Sequence, residues 1–371
     1  MNFLSIAIIL IISFSCSTVS KYTKYLDKPI VEKKHLKVKW VKDLDPVYST
    51  GNLPIGTSSP FIYSDILYMG DLRGMMTAYD VETGKVLWSF NEKLPIQSQV
   101  NKVGDYVYYG TKTGRLFSRH YLTGELNFAV DLGAPIESQP TFSMGRLLIH
   151  LRNHSILSLD ASTGKLFWKY KRSIPYLTTL QRVSHMQPYN NNILVGFADG
   201  YIASLSLEEG VLNWEQRISE GYKFIDVDVK PVLFNDLIVI GSASGPIRFI
   251  NPSNGVIERT IEIVQSHTAN VQDDHFIVGD INGKLYKINK FGKILFQKKL
   301  SRDAISSVKK WKNGLIVSTM GQEIFYIEED TFSKIDEFLL GSDQSAVFGD
   351  LAVSGEYFSV YSSRNRLYLF Q

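Results

Sequence analysis

Short hydrophobic segments of alternating polarity recur along the chain, separated by turns that contain glycine. Residues 78–88 read Ala-Tyr-Asp-Val-Glu-Thr-Gly-Lys-Val-Leu-Trp, and copies of this pattern lie at residues 158–168, 122–128 and 209–214. In each copy a glycine that can adopt positive φ precedes a strand ending in a large aromatic side chain. The pattern predicts antiparallel hairpins, and the intervening segments lack the periodicity of helices.

A second landmark measures the period of this repeat. It is the residue at the end of the hydrophobic strand before each turn, and successive landmarks are about 38–46 residues apart, the spacing of propeller blades. The landmarks are Gly70, Gly110, His150, Gly196, Gly241, Gly279, Ser318 and Ser362. These units predict an all-β fold, an eight-bladed β-propeller with four-stranded antiparallel blades.

The two ends of the repeat predict how the ring closes. The last unit, residues 355–370, lacks its turn and outer strand, whereas residues 37–43 read as an outer strand without a blade. An N-terminal strand that completes the last blade would remove an exposed sheet edge. We therefore expect residues 35–371 to form one closed ring.

Composition supports one large domain and argues against some partners. Apolar residues make up 44% of the chain, with 20 Tyr and 21 Phe, which provides ample area for contacts between blades. The net charge of +3 is too balanced to indicate a nucleic-acid partner.

The N-terminus has the features of an export signal. Residues 3–14 are apolar apart from Ser5 and Ser13. This segment is long enough for the hydrophobic region of a signal peptide but too short for a typical transmembrane helix. The only cysteine, Cys16, follows directly and cannot form an intramolecular disulfide. We expect residues 1–15 to be a lipoprotein signal peptide and residues 16–34 to be a lipidated Cys16 with a flexible tether. The alternatives are a conventional cleavage site and, for the lysines of the tether, an anionic-membrane patch.

Motifs for catalysis or metal binding are absent from the sequence. His150 and His154 are four apart, but at a strand end this spacing does not bring two ligands together as it would on a helix. Nucleophile elbows, phosphate loops and cysteine pairs are also missing. We therefore expect no catalytic residue, no metal and no cofactor.

The repeated aromatic residues have a structural and a functional interpretation. They could stack on a carbohydrate or a quinone, but their constant place at the end of each outer strand favours docking of one blade against the next. The predicted docking residues are Trp40, Trp88, Phe128, Trp168, Trp214 and Phe296.

The motif Ala-x-Asp-x-x-Thr-Gly-Lys-x-x-Trp of residues 78–88 resembles the tryptophan-docking repeat of the pyrroloquinoline-quinone-type propellers. One group with this repeat contains quinone-dependent dehydrogenases, and the other is the BamB family of outer-membrane assembly lipoproteins. The chain length and the single Cys16 favour the BamB family, because the alcohol dehydrogenases carry a pair of adjacent cysteines. The likeness is sharpest across residues 182–231.

The resemblance implies a non-enzymatic scaffold that is lipid-anchored in the outer membrane and faces the periplasm. Its implied partners are the POTRA domains of BamA and the barrel assembly complex, with nascent outer-membrane proteins as further candidates. The family's contact residues correspond to Leu180, Arg182, Asp226 and Asp228 in this chain. On an extended strand Asp226 and Asp228 would lie about 7 Å apart on one face, where they could receive a basic partner; solvated acids at a blade edge are the simpler interpretation.

Two other functional classes are open at this stage. A dehydrogenase-like propeller would need a central funnel of Asp, Glu, Asn and Arg residues that holds a quinone and Ca²⁺. A general periplasmic chaperone would hold unfolded strands by adding them to a sheet edge.

Overall fold

Eight antiparallel sheets of four strands each form the blades of a propeller, which confirms the predicted fold class. This computed structural model describes residues 35–51, 58–174, 183–221, 223–341 and 345–371. All of them belong to the unit His35–Gln371, and none of them lies in a helix. The predicted signal peptide, Cys16 and the tether lie outside the described residues.

The strands follow the chain from the centre of each blade to its rim. Blades 1 to 4 contain β2 Phe61–Tyr63, β3 Ile66–Gly70, β4 Met75–Asp80, β5 Val86–Asn91; β6 Asn101–Val103, β7 Tyr106–Gly110, β8 Arg115–His120, β9 Leu126–Asp131; β10 Thr141–Ser143, β11 Arg146–His150, β12 Ser155–Asp160, β13 Leu166–Lys171; and β14 Gln187–Tyr189, β15 Asn192–Gly196, β16 Tyr201–Ser206, β17 Leu212–Arg217.

Blades 5 to 8 continue this order, with the first strand of the chain as the last strand of blade 8. They contain β18 Val232–Phe234, β19 Leu237–Ile240, β20 Pro246–Ile250, β21 Ile257–Val264; β22 Asn270–Val271, β23 His275–Gly279, β24 Lys284–Asn289, β25 Ile294–Lys299; β26 Ile305–Trp311, β27 Gly314–Thr319, β28 Glu323–Glu328, β29 Lys334–Leu339; and β30 Ala352–Ser354, β31 Tyr357–Tyr361, β32 Arg366–Phe370, β1 Val38–Asp43.

Side-chain hydrogen bonds explain the repeated Asp-x-x-Thr-Gly motif. Asp80 accepts hydrogen bonds from the Thr83 backbone N–H at 2.7 Å and from the Thr83 hydroxyl at 2.6 Å, which fixes the turn between β4 and β5. Asp160 plays the same part in blade 3, where bonds from Ser162 and Thr163 lower its pKa to about 2. The motif is therefore a local turn device, which is why it could be recognised in the sequence.

The N-terminal strand closes the ring as predicted. β1 pairs antiparallel with β32, with Trp40 opposite Leu369 and Lys42 opposite Leu367. The indole N–H of Trp40 then donates to the carbonyl of Val81 in blade 1 at 2.9 Å. The strand that completes blade 8 thus also docks this blade on blade 1.

The hydrophobic core lies mainly between neighbouring blades. The cluster between blades 1 and 2, for example, contains Tyr68 and Trp88 from one blade and Val107 and Phe117 from the next. Because each cluster needs two blades, a single blade cannot bury its apolar face alone.

Four tryptophans make equivalent contacts with the turn of the following blade. Each indole N–H donates to a backbone carbonyl at 2.9–3.0 Å, in the pairs Trp40–Val81, Trp88–Tyr121, Trp168–Leu207 and Trp214–Pro252. Phe128 lies against Gly164 of blade 3. Phe296 contacts Phe332 of blade 7 with ring centroids 5.5 Å apart, although 38% of its surface is exposed.

Two polar residues occupy the aromatic position in the remaining blades, and neither was predicted from the sequence. The guanidinium of Arg259 in blade 5 donates to the Lys290 carbonyl at 2.8 Å, as an indole would. In blade 7 the carboxylate of Asp336 accepts from the backbone N–H groups of His35 and Leu36 at 3.1 and 3.0 Å. The docking position is thus defined by contact with the next turn, and different side chains can supply that contact.

Candidate partner-binding site

The residues that the resemblance singles out belong to two neighbouring loops. One loop joins blades 3 and 4 between β13 and β14, and the other joins blades 4 and 5 between β17 and β18. Leu180 and Arg182, in the first loop, lie outside the described residues. Asp226 and Asp228, in the second loop, are described.

Arg172 anchors the start of the first loop to blade 4. Its guanidinium forms ion pairs with Asp199 at 2.6 Å and with Glu215 at 2.5 Å, and it lies 4.9 Å from the ring centre of Tyr201. Burial alone would lower the pKa of Arg172, but the hydrogen bonds to Glu215 and Asp199 outweigh it and raise the pKa. Arg172 therefore stays charged and holds the start of the loop against the neighbouring blade.

The second loop is fixed by packing at its centre. The Val227 N–H donates to the Phe197 carbonyl at 3.1 Å, and the Asp226 carbonyl accepts from Ala243 at 2.8 Å. Gly196 makes room for this loop, because a Cβ at that position would lie 2.4 Å from the Val227 carbonyl oxygen and 2.5 Å from its Cγ1. The landmark glycine is thus a site of close approach between blade and loop.

The two acids differ in their surroundings, which corrects the expectation that both carboxylates lie on one face of an extended strand. Residues 225–229 belong to no strand; Asp226 is completely buried, whereas Asp228 is partly exposed and lines the central channel. The physical reason is that the loop must turn inward to place Val227 on blade 4. The role of Asp226 and Asp228 in partner binding stays a prediction.

A cleft of about 390 Å³ lies beside the second loop. It is lined by Arg217, Ile218, Glu220, Gly221 and Arg248. Arg217 donates to the carbonyls of Ser219 at 3.1 Å and of Gly221 at 3.0 Å, so it also shapes the loop. Because the two guanidinium groups of the cleft stand on separate strands of different blades, no sequence pattern indicates that they meet.

The central channel of the ring contains a cavity of about 670 Å³. In most blades the residue two positions before the innermost strand contributes to its wall, namely Ser59, Gln99, Gln139, His185, Lys230, Thr268 and Asp350. The wall also includes Lys309, which pairs with Asp350 at 2.5 Å. The repeat period could have identified these positions, because they are equivalent in successive blades.

The channel histidines are held in the neutral form. Burial lowers the pKa of His185 and of His267 to about 4 each. His267 accepts from the Gly279 N–H at Nε2, 2.9 Å away, and its Nδ1 lies 2.6 Å from the Thr268 carbonyl. Burial and the neighbouring Lys309 likewise lower the pKa of Lys230. The imidazole groups of the channel wall are thus neutral, and the wall also contains ionisable side chains such as Asp228 and Lys309.

His150 and His154, considered above as metal ligands, are structural in their contacts. Both are buried, and His150 packs edge-on against Phe197 while its Nδ1 lies 3.0 Å from the Ser184 carbonyl. Throughout the described residues, no group of three or more His, Cys, Asp or Glu side chains could hold a metal ion. A helix able to cross a membrane is also absent from that part of the chain.

The known proteins similar to this chain include an assembly-factor family and a group of quinone enzymes. The family described as outer membrane protein assembly factor BamB matches residues 73–290, more than half of the chain. Outer membrane protein assembly factor BamB of Yersinia pestis is 25% identical over 208 residues, which cover 52% of this chain and 53% of that protein. The chain thus spans about half the length of the first curated relatives it matches.

The second group consists of quinone enzymes and matches a smaller part of the chain. The dehydrogenase subunit of alcohol dehydrogenase (quinone) from Komagataeibacter europaeus is 29% identical over 164 residues, covering 37% of this chain and 21% of that protein.

Among solved structures, BamB from Moraxella catarrhalis is similar in fold, with a TM-score of 0.76. The matched region covers 91% of this chain and 99% of the Moraxella chain. Its sequence identity of 17% supports the shared fold alone.

Proposed function

We propose, because the chain belongs to the family of outer membrane protein assembly factor BamB, that it is a non-enzymatic scaffold of the outer-membrane β-barrel assembly machinery. In this role it binds the POTRA domains of BamA and assists the insertion of barrels. The protein is anchored by a lipid on Cys16 in the outer membrane, and the ring faces the periplasm.

The observation that carries this proposal is the arrangement of the two loops. Both fall inside residues 73–290, the segment that matches the family. Arg172 fixes the start of the first loop to blade 4, and Val227 fixes the centre of the second loop to the same blade. Because contacts with blade 4 hold the centre of the second loop before any partner binds, this loop can bind at little entropic cost.

The quinone-dehydrogenase alternative has weaker support. Its relatives match 37% of this chain and 21% of their own length, whereas the assembly-factor match from Yersinia pestis covers about half of both chains. The channel wall contains hydroxyl, amide and neutral imidazole groups, and among its acids Asp350 is already paired with Lys309 and Glu137 with Arg152. The scaffold role therefore accounts better for these residues.

The burial of Asp226 decides how the proposal is best tested. Removing a buried carboxylate would disturb folding as well as binding, so the variant should change Arg182→Ala and Asp228→Ala and leave Asp226 intact. The matched control is Arg115→Ala with Glu125→Ala, two exposed residues of blade 2 that give the same change in charge.

The assay is calorimetric titration of each variant with the POTRA fragment of BamA. We expect the Arg182→Ala, Asp228→Ala variant to bind at least about tenfold more weakly than the native chain, a loss of ~1.4 kcal/mol. The control variant should bind like the native chain. Undiminished binding by a folded Arg182→Ala, Asp228→Ala variant would refute the assignment of these loops as the contact face.

A further inference from the structure

Blade 6 carries an unusual concentration of positive charge on its outer hairpin. Residues 284–299, which form β24, β25 and their turn, include six lysines and no Asp or Glu. The lysines are Lys284, Lys287, Lys290, Lys293, Lys298 and Lys299. The corresponding hairpin of blade 1, residues 75–91, has two acids and one lysine, so the charge does not follow from the blade design.

Ion pairs within the described residues leave most of this charge uncompensated. Of the six lysines, only Lys287 pairs with a carboxylate in the described part of the chain, Asp330 of blade 7 at 2.8 Å. Lys284 and Lys299 are directly opposite each other in the β24–β25 ladder. Like charges in directly opposite positions destabilise a sheet, so folding stability does not explain this arrangement.

The neighbouring acids of blade 7 are occupied by other groups. Glu329 pairs with Lys310, and Glu337 pairs with Lys334 at 3.3 Å. Asp336 accepts from the backbone at His35. These acids therefore do little to neutralise the lysines of blade 6.

Exposed apolar side chains accompany the lysines at the turn and the rim. Phe291, at the tip of the turn, is 68% exposed, and Leu295 and Phe296 on β25 are 48% and 38% exposed. Lys290 and Lys293 stand on either side of Phe291 in the sequence, and the Lys290 ammonium lies 5.3 Å from its ring centre. The hairpin thus combines an apolar tip with flanking cations.

We propose that the β24–β25 hairpin of blade 6 is a membrane-contact surface that binds an anionic phospholipid bilayer. Lysines near such a bilayer are attracted to its negative surface potential, while exposed aromatic and aliphatic side chains enter the headgroup region. Charge distinguishes this hairpin from that of blade 1. Blade 1 exposes Val86 and Leu87 to a similar extent, but the neighbouring charged residues there include the acids Asp80 and Glu82. Anionic lipid is the occupant that matches both the apolar tip and the lysines.

The test measures the acetylation of individual lysines by mass spectrometry. The full chain is mixed with vesicles of phosphatidylcholine, alone or with an equal amount of phosphatidylglycerol, and treated with an amine-acetylating reagent. Lys85 and Lys165 are internal controls, because they follow the turn glycine in blades 1 and 3 as Lys293 does in blade 6. We expect Lys290 and Lys293 to react at least about fivefold more slowly on the anionic vesicles, with the controls unchanged.

Variants separate the two components of the surface. Phe291→Ser with Leu295→Ser should reduce the protection of Lys290 and Lys293. Lys290→Glu with Lys299→Glu should abolish the protection of Lys293, since these are exposed residues whose replacement leaves the ring folded. The matched control, Phe167→Ser in blade 3, should retain the protection.

Equal protection of Lys85, Lys165 and Lys293 would overturn the proposal, because it would indicate approach of the ring without a preferred face. Protection by polyglutamate but not by anionic vesicles would assign the hairpin to an acidic protein partner and would also overturn it. BamA binding by the same variants is measured separately, so that failure of this inference is distinguishable from failure of the scaffold role.

Discussion

Replacement of Trp88 by alanine tests how strongly one blade is docked on the next. The Trp88 side chain is 7% exposed and packs in the cluster shared by blades 1 and 2. Its indole N–H donates to the Tyr121 carbonyl at 3.0 Å, but that carbonyl also accepts from the Tyr68 hydroxyl at 3.0 Å. The carbonyl keeps a partner in the variant, so loss of packing dominates, and we expect a cost of about 3–5 kcal/mol in the free energy of unfolding.

A double-mutant cycle with Gly124 locates this energy at the interface between blades. Gly124 has a φ of +71°, and a Cβ there would lie 2.6 Å from Cδ2 of Trp88 and 2.5 Å from Cε2 of Phe90. Gly124→Ala alone should lower the free energy of unfolding by about 1–2 kcal/mol because of the positive φ. The overlap of the new Cβ with the rings of Trp88 and Phe90 should lower it further. In the Trp88→Ala background much of the overlap is relieved, so the double variant should cost about 1 kcal/mol less than the sum of the single variants.

The assay is urea unfolding followed by circular dichroism, with Leu87→Ala as the control. Leu87 is 48% exposed on the same strand, and its replacement should change the free energy by less than about 0.5 kcal/mol. A loss below about 1 kcal/mol for Trp88→Ala, or strict additivity with Gly124→Ala, would refute the docking argument.

Three further predictions follow from ring closure, lipidation and burial. Deletion of residues 35–45 should lower the thermal midpoint far more than deletion of residues 21–31, because the first removes the strand paired with β32; equal midpoints would contradict the closure. Cys16→Ser should release a folded ring from the membrane, and metabolic labelling with a fatty acid should mark only the native chain; a native chain without label would rule out lipidation. Asp226→Ala should lower the thermal midpoint more than Asp228→Ala, because Asp226 alone is fully buried, and the reverse order in a thermal melt would contradict that placement.

The amino-acid sequence was enough to predict the class of fold, the number of blades and the strand that closes the ring. These features depend on local chemistry that repeats, such as the turn in which Asp80 binds Thr83, and on a hydrophobic period set by strand length. Counting the strands of each unit also showed that the last unit lacks an outer strand and that residues 37–43 form an additional one. Local rules of this kind act within a few residues of the chain and are independent of the rest of the molecule, so the order of residues is enough to apply them.

The sequence did not predict which side chains meet across blades and loops, and these contacts are seen only in the folded chain. In the structure Asp226 is buried beside Val227. Arg259 and Asp336 lie where other blades have aromatic rings, and Arg217 and Arg248 line one cleft. These contacts join residues from different blades, and their energies depend on burial and distance rather than on position in the repeat. The repeat determines where each strand begins. The packing between neighbouring blades determines which residues of each strand are exposed.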